Sequence, residues 1–425
     1  MPAFVFPGQG SQQPGMGQPW QDHPSWDVVD DASEVAGRDL ARLLLLAGPE
    51  ELTETRNAQL ATLTLSLIVL DAVERLGIEP TACAGHSVGE YSALVAAGAL
   101  SFDDGVAIVT ERGEAMQAAA DDQPGIMKVI LGLDDDAVDI ACYRADGDVW
   151  VANYNGPENV VIAGDKGSVD AAVEQAMVLG AQKVLTVPVG GAFHTPFMAP
   201  ARPRLRKALR AATFREPEVP VVANVDAIPH HSAEAWQGLS SAQLCSPVRW
   251  RQSVLRLGEL ATADGPEGPN GNGRRSDGVA NGERIFVEVG PGGVLSGLTR
   301  RILPGATAVA VATPADLDLL VEVIAGHSAL HTYAASHHGE HLYVSERMVI
   351  SPRAGVFQPT GLTSDVDDER TLAEGDPIVV GTVLGRVGDT EVRSPFEGSL
   401  MGMLALPGER VQTGQPVAWL RVSRP

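Results

Sequence analysis

The chain has 425 residues, 44% of them apolar and 20% charged, enough for two or three folding units at roughly 150 residues each and too many for a single small binding module. Thirty-one Lys and Arg stand against 54 Asp and Glu, a net charge of −23, which repels nucleic acid phosphates and anionic lipid. The three cysteines, Cys83, Cys142 and Cys245, are too few and too widely spaced for a disulfide framework or a zinc-ligand cluster, so a reducing, cytoplasmic setting is expected.

The first residues lack a basic flank and reach Gly8 before a secretory apolar core could form, so no leader is expected. The longest apolar run, residues 60–73, carries Thr and Ser and is short of the roughly 20 residues that span a bilayer. No membrane partner is expected.

Residues 3–6 are predicted to form a buried strand ending in Pro7-Gly8-Gln9-Gly10-Ser11-Gln12. Helical patterns fill residues 26–76. A second apolar run, 81–84, ends in Gly85-His86-Ser87-Val88-Gly89-Glu90 and leads into a helix over 91–99. This alternation predicts a parallel α/β sheet. Residues 127–189 instead read strand, helix, strand, strand, helix, strand, which predicts a ferredoxin-like subdomain inserted into the larger domain between hinges at Pro124-Gly125 and Gly190-Gly191. The Gly- and Asn-rich stretch 263–282 is predicted to be a mobile loop. Residues 285–297 repeat the strand, glycine turn and helix arrangement.

A linker is predicted over 326–346. Its His327/His331 and His337/His341 pairs have a spacing that could bind metal on a helix face, but no Cys or paired carboxylate completes a ligand set, so no metal site is assigned. Beyond it, residues 349–357 and 392–400 are related copies, as are the spacings Gly375, Ile378, Gly381 and Gly408, Val411, Gly414. Two such short-stranded units, each too small to bury its own face, are expected to pack together as one β sandwich.

Gly85-His86-Ser87-Val88-Gly89 has the spacing of a nucleophile elbow, where small flanking residues let a tight strand-to-helix turn push a serine oxygen over the sheet edge. The helix start also directs N–H groups and positive dipole at an incoming carbonyl oxygen. A serine needs a base to attack. His194, in a loop straight after an apolar strand, is the candidate, with His86 supporting the elbow. Arg112 is predicted on a helix, either as a surface arginine paired with Glu111 or Glu114 or as a fork for a substrate carboxylate.

These motifs, with Gln59, Asn153-Tyr154-Asn155, Phe193-His194, Pro247-Val248-Arg249-Trp250 and Glu288-Val289-Gly290-Pro291-Gly292, resemble the malonyl-CoA:acyl-carrier-protein transacylases and the acyltransferase domains of polyketide synthases over about residues 1–315. The resemblance implies a parallel-sheet α/β hydrolase-like acyltransferase core at 1–126 and 190–325. It implies a ping-pong transfer in fatty-acid or polyketide synthesis from malonyl-CoA, through malonyl-Ser87, to the phosphopantetheine thiol of acyl carrier protein, with His194 as base and no bound cofactor. It implies an oxyanion hole from the backbone N–H groups of Gln9 and Val88, and Arg112 holding the free malonyl carboxylate. Gln59, Asn155 and His86 are implied as supporting polar groups at the substrate site. The backbone carbonyl of Arg249 is implied as the group that orients His194. Phe193 matches a malonyl-selective form that leaves little space for an α-methyl.

Arg202, Arg204, Arg206, Lys207 and Arg210 form the densest basic run and could be a docking patch for an acidic carrier or a solvated helix face. Residues 347–425 resemble a biotinyl/lipoyl-like domain, but all four lysines, Lys128, Lys166, Lys183 and Lys207, precede it. The hairpin that carries the modified lysine in that family is here a Gly388-Asp389 turn. Met401-Gly402-Met403 resembles a biotinylation site only superficially, since it lies in the second half and lacks the lysine. An unmodified domain that docks other fatty-acid-synthesis proteins, or stabilises the chain, is expected. The rival readings are a serine hydrolase, with Asp104-Gly105 as a patatin-like acid, and a non-enzymatic scaffold that would leave Ser87, His194 and Arg112 unused.

Overall fold

The computed structural model describes residues 2–261, 284–334, 345–360, 372, 375–413 and 415–422. The predicted loop at 263–282 and His337, His338 and His341 lie outside them, as do the side chains of His327 and His331. Two compact units divide the chain, Met1–His331 and Thr332–Pro425.

The first unit is mixed α/β. Its main sheet has the strand order Thr307–Val311, Ile285–Val289, Ala3–Phe6, Ala82–Gly85, Val221–Val222, Pro229–His230. Adjacent strands are parallel except for the last pair. Ala3–Phe6 is buried at every position, as a central parallel strand with both faces covered must be. Its side chains alternate between two cores: Phe4 and Phe6 in one, Ala3 and Val5 in the other. Parallel strands send their following loops to one sheet edge, so the turns after Phe6, Gly85, Val222 and Val289 all gather there.

A second, four-stranded antiparallel sheet has the order Val149–Gly156, Asn159–Gly164, Ile126–Leu131, Lys183–Val187. With the helices Asp135–Arg144 and Lys166–Val178 it encloses a separate core around Ile130, Val138, Val160 and Val169. Its edge strand is laced to the segment carrying Val248: Val248 N–H donates to Ala152 O at 2.9 Å, and Tyr154 N–H donates to Val248 O at 2.9 Å.

In the second unit, one sheet orders Ser345–Ile350, Pro416–Val422, Gly398–Met403, Pro377–Ile378, and another Thr390–Arg393, Val383–Val387, Gly355–Pro359, Arg410–Val411. Phe357, Leu384, Val387, Leu400, Val417 and Leu420 fill the core. The repeat recurs as structure: buried Ser351 and Ser394 each donate from Oγ to the carbonyl two residues on, Arg353 O at 2.7 Å and Phe396 O at 2.8 Å. Val387 pairs with Thr390 across Gly388-Asp389, where Gly388 takes φ 63°, the left-handed backbone a two-residue hairpin turn requires.

Candidate active site

Ser87 stands between the strand Ala82–Gly85 and the helix Gly89–Ala96 with φ 54°, a left-handed conformation that costs an L residue about 1–2 kcal/mol. Both flanking glycines are sterically required. A Cβ on Gly85 would lie 1.9 Å from Gly89 O, and one on Gly89 would lie 2.2 Å from Phe6 O. Asn224, just beyond the neighbouring strand Val221–Val222, staples the turn. Its Oδ1 accepts from Ser87 N–H at 2.8 Å and its Nδ2 donates to Gly85 O at 2.6 Å.

His194 also has a left-handed backbone, φ 61°. Its Nε2 lies 2.8 Å from Ser87 Oγ and its Nδ1 lies 2.9 Å from Gln243 O. A carbonyl can only accept, so Nδ1 carries the proton and Nε2 presents its lone pair to the serine hydroxyl. Gln243 is the last residue of the helix Ala233–Gln243, and because the last turn of a helix leaves carbonyls without intrahelical donors, its carbonyl is open to His194 and also accepts from Ser246 N–H at 3.4 Å. Burial, and then the positive charge of Arg112, push the imidazole pKa down to about 3, which keeps His194 neutral at pH 7 with its Nε2 lone pair available.

The expected Arg249 carbonyl does not orient the base. It accepts from Ser253 N–H at 2.9 Å and Ser253 Oγ–H at 3.0 Å, because Arg249 caps the helix Trp250–Leu260 and its carbonyl enters that helix's first bonds. Its side chain donates to Val225 O and lies over the Tyr154 ring. The group that performs the expected role sits six residues earlier in the chain.

Arg112 lies on the helix Phe102–Asp122 and is fully buried. Its Nη1 donates to Gln59 Oε1 at 2.7 Å, and its Nη2 donates to Gln243 Oε1 at 2.9 Å and Ser87 Oγ at 3.2 Å. Glu111 pairs with Arg204 at 2.6 Å and Glu114 with Arg56 at 3.5 Å; neither neutralises Arg112, which makes no ion pair among the described residues. Desolvation lowers its pKa against the opposing attraction of Tyr91 and Glu90, the direction expected where burial outweighs nearby negative charge.

Glu90 completes the network. Its Oε2 accepts from Asn224 N–H at 2.7 Å and its Oε1 from Gln243 Nε2 at 3.0 Å, while burial pushes its pKa up to about 7. Glu90 was legible only as a motif letter, and Gln243 carried no local signal at all. Asn224 had one: a polar residue straight after an apolar strand, at the edge where Ser87 also follows its strand.

The remaining candidates fall nearby or on a supporting layer. The backbone N–H groups of Gln9 and Val88 donate to no protein acceptor among the described residues. Asn155 is set against His86, its Oδ1 2.9 Å from Nε2, and the His86 ring meets Trp250 edge to face. Phe193 is buried, and a Cβ on Gly191 would come within 2.7 Å of its ring, so that glycine lets the ring fold back over the loop. On the helix Arg202–Ala211, Leu205 and Leu209 face inward, and Arg206 donates to Ser241 Oγ at 2.9 Å. Asp104 of the hydrolase reading is occupied at a helix start: Ser101 Oγ accepts from its N–H, and its Oδ2 accepts from Thr213 N–H.

A buried serine, a neutral imidazole and an unpaired guanidinium around one point can carry out acyl transfer of a group that bears a second carboxylate. Comparison with known proteins agrees. A family model described as acyl transferase domain matches residues 3–266. The malonyl CoA-acyl carrier protein transacylase of Bacillus subtilis (strain 168) is 38% identical over 328 residues, 76% of this chain and 96% of the relative. That of Escherichia coli (strain K12) is 38% identical over 76% of this chain and 99% of its own. Among solved structures, an acyl carrier protein S-malonyltransferase from Vibrio cholerae O1 matches with TM-score 0.67 and 37% identity, covering 75% of this chain and 99% of that one. A malonyl-transacylase in complex with its type II polyketide acyl-carrier protein matches with TM-score 0.68 and 37% identity, covering 75% and 98%. With a buried serine–histidine pair and an unpaired arginine inside the matched region, the chain belongs to the malonyl CoA-acyl carrier protein transacylase family of acyltransferases.

Proposed function

We propose that this chain moves a malonyl group from CoA to the phosphopantetheine thiol of an acyl carrier protein through an ester on Ser87. Ser87 Oγ attacks the thioester carbonyl as His194 Nε2 takes its proton; the tetrahedral adduct collapses with loss of CoA, whose sulfur receives that proton. The carrier thiol then attacks the malonyl-serine ester, His194 again taking the proton and returning it to Ser87 Oγ. Gln9 and Val88 N–H groups stabilise the oxyanion, each such donor lowering the barrier by roughly 3 kcal/mol. Arg112 binds the free carboxylate. Phe193 disfavours an α-methyl, at about 1–3 kcal/mol. Gln59 supports the carboxylate site through Arg112, and Asn155 supports the elbow through His86.

The observation that carries this reading is the line from Ser87 Oγ through His194 to Gln243 O, with the Arg112 guanidinium 3.2 Å from the same oxygen. Mixing the protein with malonyl-CoA and then with apo- or holo-carrier tests it by intact mass. A malonyl adduct on Ser87 that only the holo form removes is the expected result; free malonate released without a carrier would overturn it.

The second unit is a biotinyl/lipoyl-like domain that is not modified. Its two sheets, its repeated serine turns and the Gly388-Asp389 hairpin tip support this, as does the absence of lysine after Lys207. It serves as a docking or stabilising module for other synthesis proteins; biotin or lipoate found on the purified chain would refute this. A cytoplasmic setting accords with three free cysteines and with no described helix being long and apolar enough to cross a membrane.

A further inference from the structure

We propose that the side-chain amides of Gln59 and Gln243 form a charge-neutral cradle that keeps the positive charge of Arg112 for the acyl carboxylate, and that Gln243 is the positioning residue that registers this clamp against the Ser87–His194 pair. The inference rests on the carboxylate-binding reading of Arg112.

A fully buried guanidinium needs acceptors to hold it in place, and the cheapest would be a carboxylate. Here each terminal nitrogen is held by an amide oxygen instead, Gln59 Oε1 at 2.7 Å and Gln243 Oε1 at 2.9 Å. An amide oxygen orients the cation without cancelling it. The one buried carboxylate of the network, Glu90, is turned to other donors, and Gln243 stands between the two charges: its Nε2 donates to Glu90 Oε1 at 3.0 Å while its Oε1 accepts from Arg112.

The orientation of the Gln243 amide is settled by its partners. Nε2 faces two acceptors, Glu90 Oε1 and Ser87 O, the latter also at 3.0 Å, so the oxygen must face the guanidinium. The same residue's main-chain oxygen accepts from His194 Nδ1. One residue therefore touches the clamp, the backbone of the nucleophile and the base. That geometry ties the place where a carboxylate binds to the place where the serine attacks. Its main-chain part survives any substitution, which makes the side-chain part separable.

The full-length chain, with Gln243→Glu and Gln59→Glu variants, would be loaded in single turnovers with malonyl-CoA or acetyl-CoA and followed by intact mass. A carboxylate at either position would pair with Arg112 permanently and compete with the substrate. Malonyl loading should fall about tenfold or more while acetyl loading falls far less, so the malonyl-to-acetyl ratio collapses. A retained ratio, or equal losses for both acyl groups, overturns the cradle. Gln59 does not touch His194 or Ser87, so Gln59→Glu decides the question if Gln243→Glu fails to fold. A wild-type protein that loads neither group would sink the functional reading itself, which is a different result from a changed ratio.

Discussion

Two strand–turn–helix units lie on the same parallel sheet and end in opposite ways. At Gly85–Gly89 the left-handed position is occupied by Ser87, and the polar groups around it are stapled from outside by Asn224 and Gln243. At Glu288–Gly292 the positive-φ positions, Gly290 at 135° and Gly292 at 91°, are glycines. There the polar side chain is spent locally: Glu288 accepts from Leu295 N–H at 3.1 Å and Ser296 N–H at 2.7 Å, capping the helix Val294–Ile302. The same supersecondary plan thus yields a turn at Ser87 where strain is held by residues distant in sequence, and a turn at Glu288 whose acidic side chain is satisfied within eight residues.

Substitutions should separate the two turns, beginning with Ser87. Ser87→Ala should lower transfer by about 10⁴-fold or more, since serine and base act as a unit, with no change in secondary structure by circular dichroism; residual transfer within about tenfold of wild type would remove Ser87 from its role. Arg112→Ala should weaken malonyl loading by about 100-fold, and much more than acetyl loading, measured as the ratio of initial rates.

The stability tests come next. Gly89→Ala places a Cβ against Phe6 O and should lower unfolding free energy by roughly 3 kcal/mol, read as the urea midpoint. Glu288→Gln should cost about 1–2 kcal/mol by weakening the helix cap yet leave the rate per folded molecule unchanged. A loss of rate there would show that the second turn also serves the chemistry.

The pH dependence sharpens the contrast further. His194 has its pKa lowered to about 3 in the folded state, against an ordinary 6.5. Between those values the unfolded chain binds more protons, so this contribution to stability is complete above pH 6.5 and is lost as pH falls toward 3. His194→Gln should flatten the urea midpoint across that window. A variant with the wild-type slope would show that the imidazole is not buried in its neutral form.

The parallel sheet could be read from apolar runs such as residues 3–6 that end in glycine turns, because a doubly buried strand must be apolar throughout. Ser87 could be read because its flanking glycines form a local motif, although only Gly85 is required by a contact within a few residues; Gly89 is required by Phe6 O on the neighbouring strand. His194 and Arg112 were legible by type and position, but what each touches was not. For Arg249 the adjacent motif pointed to the wrong carbonyl, because a helix start uses its own carbonyl locally, while a helix end such as Gln243 leaves one free.

The sequence by itself determined the element order, the candidate nucleophile and the chemical kinds of group around it, since turns, alternation and capping are set by neighbours along the chain. Only the tertiary structure decided that Gln243, Asn224 and Glu90 close the network. Asn224 and Gln243 lie 134 to 156 residues from their partners Ser87 and Glu90, and a side-chain hydrogen bond between distant elements has no spacing in sequence until the sheet brings its strand ends to one edge.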